Sequence, residues 1–590
     1  MSLSRSTYRT PDLYFEKHDK VARRRGPLEK AQVDGAAFLG FTLRGPVHQP
    51  VRVSTWKGFE SIFGGFSPDC ALPAAVFGFF ANGGREAVIV RVARLEGEGV
   101  PRPAAAVLRD LYGQPTLRVE AQDPGAWANK VRVRVSAASR PARTGLRAAL
   151  APGATEAEVD LVRGFEPGAV VRITQDQRQE YVRLVEVGRK RLSWEEPLRA
   201  GFEPKRASLE AIELQLTVSS PFGFEIHDNL AFRAGHPRDL VEVVNQRSAT
   251  VRVRYLGSAS PAPYDHPQAE VEETLAGGVD GVGAVRAEDF IGRDSGLGVR
   301  SGLAALEELD DVGLICLPDL HTALEKGALR GEDEVEAVQR AAVELCERRK
   351  TAVALLDVPR GFDIDQALEW RSHFDSKYAA LYYPWLRVQD PLRPGATRLV
   401  PPCGHVAGLT SHVDQTEGPH RAAANLVLKD VLALERDLQK DATDSLAPEG
   451  INCSRAYRGR GIRPWGARTL SSDPLWAHLN VRRLFIMVQR TISEGCEWAV
   501  FEPNCPDTWK AVERQISAFL YQLWREGMLV GEVPEQAYFV RCDARLNPPA
   551  VRDAGEFHCE IGLAPVRPAE FIVFRIGQQA KDVITEEPVS

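Results

Sequence analysis

The residues with the most chemical potential gather after a short apolar run. Asp357 closes the stretch Ala352-Val-Ala-Leu-Leu356, and Asp363, Asp365, His373 and Asp375 follow closely. A carboxylate at the end of a buried strand is where α/β enzymes often place an acid or base. Converging on one cavity, this set would suit a hydrolase. The same residues also serve as helix caps and solvated loop charges, and Asp357-Val-Pro359 reads as a strand exit. No G-x-S-x-G stretch supplies a nucleophile elbow.

Other candidate groups have poor spacing for chemistry. His405, His412 and His420 are seven and eight apart, whereas a helical metal site favours i,i+4 and knuckles use close Cys/His pairs. Gly404, Gly408 and Gly418 give that stretch the look of a loop. No C-x-x-C occurs, and Cys496 and Cys505 flank an expected strand at 498–501. His558 and Cys559 are adjacent on an expected strand, so their side chains point to opposite faces and make a poor dyad. The glycine-rich stretch 277–283 does not follow a strand and open a helix, so a flexible loop fits better than a nucleotide cradle. Arg458, Arg460 and Arg463 form a local basic cluster. Nucleic-acid binding would need a wider basic face with interleaved aromatics, so a carbonyl clamp or internal ion pair is expected.

The elements that position these residues change character along the chain. Residues 1–20 form a polar arm with one apolar patch, Leu13-Tyr14-Phe15. Residues 21–95 read as a compact α/β piece: an apolar run at 36–41, a helix over 71–80 stopped by Asn82-Gly83-Gly84, and a buried strand at 87–92. From 96 to 270 the alternation of Val131-Arg-Val-Arg-Val135, shorter alternating stretches near 170–185 and frequent turns predict a β-rich insert with one solvated face. From 271 to 445 the pattern turns to βαβ. Strands are expected at 312–317, 352–356 and 379–383, with a helix at 332–349 that has acids at its start and arginines at its end. Residues 446–576 carry two amphipathic helices, one through Val481, Leu484, Phe485, Val488 and Ile492, the other through Trp509, Val512, Ile516, Phe519, Leu520 and Leu523 up to Gly527. Strands are expected at 498–501, 538–542, 557–562 and 571–576. Residues 577–590 are a second polar arm whose one apolar pair is Val583 and Ile584. Neither arm has a core of its own, so each is disordered or adds a strand to another sheet.

The bulk composition fits this multi-domain reading. The chain has 590 residues, 44% hydrophobic and 26% charged, with 74 basic and 80 acidic side chains. The balance of −6 favours no nucleic-acid partner. No apolar run is long enough to span a bilayer, so membrane insertion is not expected, and the first residues lack a signal-peptide core. The nine scattered cysteines are odd in number, which argues against a disulfide framework and for a reducing cytosol.

Longer stretches carry a family resemblance. Gly450-Ile-Asn-Cys-Ser-Arg455, Arg458-Gly-Arg-Gly-Ile-Arg-Pro-Trp-Gly-Ala-Arg-Thr-Leu-Ser471, Asn480-Val-Arg-Arg-Leu-Phe485, Trp498-Ala-Val-Phe-Glu-Pro503 and Ala564-Pro-Val-Arg-Pro-Ala-Glu-Phe571 resemble the contractile tail sheath family of phages and injection systems. Asp375-Ser-Lys-Tyr-Ala-Ala-Leu-Tyr-Tyr-Pro-Trp385, Val400-Pro-Pro-Cys-Gly-His-Val-Ala-Gly408 and, near the start, Ala37-Phe-Leu-Gly40 and Phe80-Ala-Asn-Gly-Gly84 are similar too. The matching stretches are in order and cover most of the chain outside 96–270.

The resemblance implies a structural polymer without cofactor, metal or catalysis. Hexameric rings would stack around an inner tube, between a baseplate and a terminal cap, and contraction would drive the tube through a target envelope. The particle would assemble in the bacterial cytoplasm and could later be released. The arms, through Leu13, Tyr14, Phe15, Val583 and Ile584, would cross to neighbouring subunits; the start Pro11-Asp-Leu-Tyr14 departs from the family's usual Pro-Gly-Val-Tyr pattern. The C-terminal domain would face the tube, with Lys510, Arg514 and Arg525 as its contacts, and 96–270 would lie outside. Two other readings remain: a hydrolase centred on Asp357, and an adhesin acting through the insert.

Overall fold

The computed structural model describes residues 26–257, 266–296 and 299–568, and the backbone of two strands at 577–580 and 583–586. It is a mixed α/β protein built on one eight-stranded sheet. The strands are β1 (Gly35–Gly40), β2 (Val51–Val53), β3 (Ala87–Arg91), β4 (Val312–Cys316), β5 (Val353–Asp357), β6 (Ala379–Tyr383), β7 (Ile451–Tyr457) and β8 (Gly461–Pro464), in the order β2-β3-β1-β4-β5-β6-β7-β8. All central pairings are parallel, and only β2 and β8 run antiparallel to their neighbours. Segments far apart in the sequence therefore share one sheet. Phe38 on β1 pairs with Ile89 on one side and Cys316 on the other. Strands β3, β4 and β6 are buried along their whole length, as expected where helices cover both faces.

The covering helices include α1 (Leu72–Ala81), α2 (Glu332–Arg349), α3 (Ile364–Ser372), α4 (Cys403–Thr416) and α5 (Lys440–Leu446). Helix α2 has the expected ends, and its buried stripe runs through Val335, Val338, Ala342 and Leu345. Helix α4 corrects the sequence reading, which placed His405 and His412 in a loop. Its glycines are packing devices: a Cβ at Gly404 would stand 2.3 Å from the Ala75 carbonyl oxygen, and one at Gly408 2.2 Å from that of Phe79. Bare backbone on α4 lets α1 approach at van der Waals distance.

The β-rich segment has two cores of its own. Leu117, Val133, Leu216 and Val253 belong to one, and Ile173, Leu184, Trp194 and Phe202 to the other. Along Arg132–Ala137 the valines turn inward and the arginines outward, as the alternation predicts. Arg91 joins this segment to the main sheet. It is fully buried at the end of β3 and donates from Nη1 to the carbonyls of Gly45 and Pro124, both at 2.8 Å.

The C-terminal third holds α6 (Leu479–Cys496) and α7 (Pro506–Arg525), the strand pair β9 (Tyr538–Arg541) and β10 (Glu560–Leu563), and the antiparallel pair β11 (Gly577–Ala580) and β12 (Val583–Glu586). The six apolar residues predicted for α7 are all buried. Gly527 closes the helix in a left-handed conformation, its N–H bonding the Trp524 carbonyl while that of Met528 bonds Leu523. Two expectations fail here. Residues 498–501 form a short 3-10 turn at Glu497–Ala499 and a loop, not a strand: Trp498 turns into the core while Val500 and Phe501 face solvent. Cys542 and Cys559 form a disulfide, against the expectation drawn from the odd cysteine count. The register pairs Arg541 with Glu560, which sets the next two residues, the cysteines, opposite each other. The expected strand at 571–576 lies outside the described residues. Among the described residues, no helix is long and apolar enough to cross a membrane.

Candidate functional site: the helices at the roots of the arms

The carboxylates near Asp357 are engaged in structure. Asp357 Oδ1 accepts the Cys403 N–H at 2.9 Å, and Asp319, beyond the end of β4, accepts those of Phe41, Ala71 and Leu72. Neither α1 nor α4 has a capping side chain of its own. Each takes a carboxylate from the end of a central strand instead, which satisfies N–H groups that a helix start leaves open. Burial lifts the Asp319 pKa to about 6 and that of Asp357 to about 7. Asp363 caps α3 in a reciprocal box with Gln366, Asp375 binds the Ser472 N–H and hydroxyl, and His373 pairs with Glu336. Asp365 is exposed. The five sequence candidates are thus dispersed over separate local roles.

His405 is buried with its ring against Gly78, and burial lowers its pKa to about 4. His412 is exposed on the same helix, and His420 lies beyond its end. Among the described residues no group of three or more His, Cys, Asp or Glu is arranged for a metal. Cys496 ends α6 and Cys505 caps α7, so the two flank a turn.

The arrangement bearing most on function surrounds α6 and α7. Residues 26–33 lie against these helices, and their polar side chains hold the segment's backbone. Gln515 donates to the Gly26 carbonyl at 2.9 Å, Thr491 accepts the Ala31 N–H at 2.9 Å, and Arg490 and Arg483 donate to the carbonyls of Gln32 and Val33. Arg483 also forms a buried bidentate pair with Asp414 on α4. Lys30 pairs with Glu526 at the end of α7. The chain returns to this spot from the other direction: the Val566 N–H donates to the Met528 carbonyl at 3.3 Å, and Asn480 reaches the Val566 carbonyl. The segments that lead to the two arms therefore root on the same pair of helices.

Of the arm residues, Leu13, Tyr14 and Phe15 lie outside the described residues. Val583 and Ile584 are in β12, paired with Ala580 and Gln579 of β11. Lys510, Arg514 and Arg525 are exposed on α7 and make no ion pair among the described residues. Arg463 is the expected carbonyl clamp, donating to the Asn425 backbone oxygen at 2.8 Å. Sequence reasoning missed Asp319, Asp414 and the clamp on residues 26–33: Asp319 and the clamp join residues hundreds of positions apart, and Asp414 meets Arg483 from a separate helix, 69 positions away.

Comparison with known proteins decides the family. The phage tail sheath protein central domain matches residues 301–470, and the phage tail sheath C-terminal domain matches residues 471–579. Residues 301–579, nearly half of the chain, carry the two domains of the phage tail sheath family. The chain is a structural subunit of a contractile sheath. A prophage major tail sheath protein of Pseudomonas aeruginosa (strain UCBPP-PA14) is 29% identical over 325 residues, 54% of this chain and 79% of that one. The tail sheath protein of Vibrio phage KVP40 is 29% identical over 189 residues, 31% of this chain and 27% of that one. Among solved structures, the PVC sheath of an extracellular contractile injection system in its contracted state shares the fold. Its TM-score is 0.52 at 19% identity, with 98% of this chain and 99% of that one covered.

Proposed function

We propose that copies of this chain polymerise as stacked hexameric rings around an inner tube and that contraction of the polymer drives the tube through a target envelope. The observation that carries this reading is the common root of the two arms on α6 and α7: Lys30 with Glu526, and Val566 with Met528. An arm leaving a rigid module without a core of its own is suited to complete a neighbour's sheet. Each ladder bond contributes only about 0.5–1.5 kcal/mol net, so many copies are needed for a durable polymer. A head-to-tail contact of this kind generates an open helical assembly.

The exposed cations Lys510, Arg514 and Arg525 on α7 face the inner tube in this reading, and the β-rich segment lies outside. A baseplate and a terminal cap bound the polymer, which assembles in the bacterial cytoplasm before any release. The stroke requires no catalysis by this chain, since Asp357, Asp363 and Asp375 serve as caps and turn bonds. Negative-stain microscopy of the purified chain tests the reading. Hollow tubes or rings are expected; uniform small particles at all concentrations would return the hydrolase to consideration.

A further inference from the structure

The hairpin of β7 and β8 carries a cluster that neither the fold nor the arms use. Arg458 and Arg460 sit on its exposed turn, and Arg455 on β7. Tyr457 and Trp465 pack across the hairpin with ring centroids 4.9 Å apart. The Arg455 guanidinium lies 5.3 Å from the Tyr457 centroid and 6.0 Å from that of Trp465, and the Arg460 guanidinium 5.7 Å from Tyr457. These contacts hold the cations in place before any partner arrives. Trp465 remains 40% exposed. Arg455, Arg458 and Arg460 form no ion pair among the described residues. Trp, Tyr and Arg grouped this way match the composition of interface hot spots.

The outer edge of β8 is already closed. The Asn425 N–H donates to the Pro464 carbonyl at 2.8 Å and that of Leu428 to Ile462 at 2.9 Å. Strand addition is therefore blocked, and the hairpin offers side chains only. Its complement lies elsewhere on the same chain. Helix α5 leads into β7 from the strand's other end and packs beside α3. Asp441 and Asp444 on α5, Glu449 before β7, and Asp365 and Glu369 on α3 are exposed and form no ion pair among the described residues. The seven residues of β7 span about 23 Å between Glu449 and the arginine turn, and no ion pair joins the two among the described residues.

We propose that the basic, aromatic hairpin of one copy docks on the acidic α3–α5 face of the next. This gives the polymer a second, salt-sensitive contact besides its arms. A patch and its complement at opposite ends of one strand cannot satisfy each other within a subunit, and head-to-tail addition satisfies both. The inference rests on the sheath reading and is tested separately from it. The full chain is compared as wild type, Arg458→Glu with Arg460→Glu, Asp441→Lys with Asp444→Lys, and all four together. Pelleted polymer and tube counts are measured, with circular dichroism and melting to show that each soluble subunit is folded. Each pair of reversals is expected to cut polymer yield at least tenfold, and the fourfold variant to recover most of it. If wild type forms tubes and the hairpin variant forms as many, the inference is overturned while the sheath reading stands. Failure of the acidic reversals to matter, or of the fourfold variant to recover, overturns the assigned partner face. A hairpin variant that polymerises normally and loses only an inner-tube protein also overturns it. Wild type without tubes removes both.

Discussion

Gly408 on α4 rests on the backbone of Phe79 on α1, so close that a Cβ there would stand 2.2 Å from the Phe79 carbonyl oxygen. Gly404 makes the same approach to Ala75 one turn earlier. The atoms met are backbone within a buried helix, so they cannot swing aside. Gly408→Ala must push α1 and α4 apart and should cost about 1–3 kcal/mol, toward the upper end because two helices move together. Gly331, at the start of α2, faces open space in an extended conformation. Gly331→Ala should be neutral within about 0.5 kcal/mol. Denaturant midpoints of the two variants check the contrast.

The same glycines show where sequence reasoning stops. Gly404 and Gly408 signal a loop by propensity, yet tertiary contact makes them the residues a close helix crossing requires. Helix α2 was legible to its ends because its pattern, acidic start and basic end are all local. The buried face of α7 was legible for the same reason. The pairing of β1 with β4 joins residues 35–38 to 312–316 across the β-rich segment, and no local pattern announces such a partner. Asp357 was visible as a strand-end carboxylate, but its role depends on Cys403, a residue that reaches it only through the fold. The family was legible from ordered motifs, whereas the hold on residues 26–33 arises only once the fold brings α6 and α7 against them.

Stability should vary with pH in opposing directions. Burial raises the pKa of Asp357 from 3.8 to about 7 and that of Asp319 to about 6. Their contribution is complete below pH 3.8 and is lost as pH rises through the folded values. His405 is lowered from 6.5 to about 4, so its contribution is complete above pH 6.5 and is lost as pH falls toward 4. Asp357→Asn keeps a carbonyl to accept the Cys403 N–H and removes the charge. The variant should gain on wild type by up to about 4 kcal/mol between pH 4 and pH 8, read from unfolding curves at each pH. Polymerisation and contraction should be unchanged; a loss of contraction in this variant would revive a chemical role for Asp357.

The proposed tube contact predicts a selective defect. Lys510, Arg514 and Arg525 are exposed and outside the buried face of α7, so reversing them leaves its packing intact. Exposed pairs contribute about 0–1 kcal/mol each, weak enough for a sheath that must release its tube. The triple variant Lys510→Glu, Arg514→Glu, Arg525→Glu should polymerise alone as wild type does. Co-sedimentation with the inner tube protein should fall, and the wild-type complex should weaken as salt rises. Equal co-sedimentation of the two proteins would place the tube contact elsewhere.

Removing residues 1–17 separates folding from assembly. The deletion takes away Leu13, Tyr14 and Phe15 and spares the segment from Gly26 that Gln515, Thr491 and Arg490 hold. The bonds that hold Gly26, Ala31 and Gln32 are kept, so the subunit should melt within a few degrees of the full chain. Long polymers should disappear, because each copy loses a strand it would lend to a neighbour. Short rings could persist through the hairpin and the acidic face, which do not depend on the arm. Sedimentation velocity would show a folded small species in place of tubes. Normal tubes from the truncated chain would show that the N-terminal arm does not link the subunits.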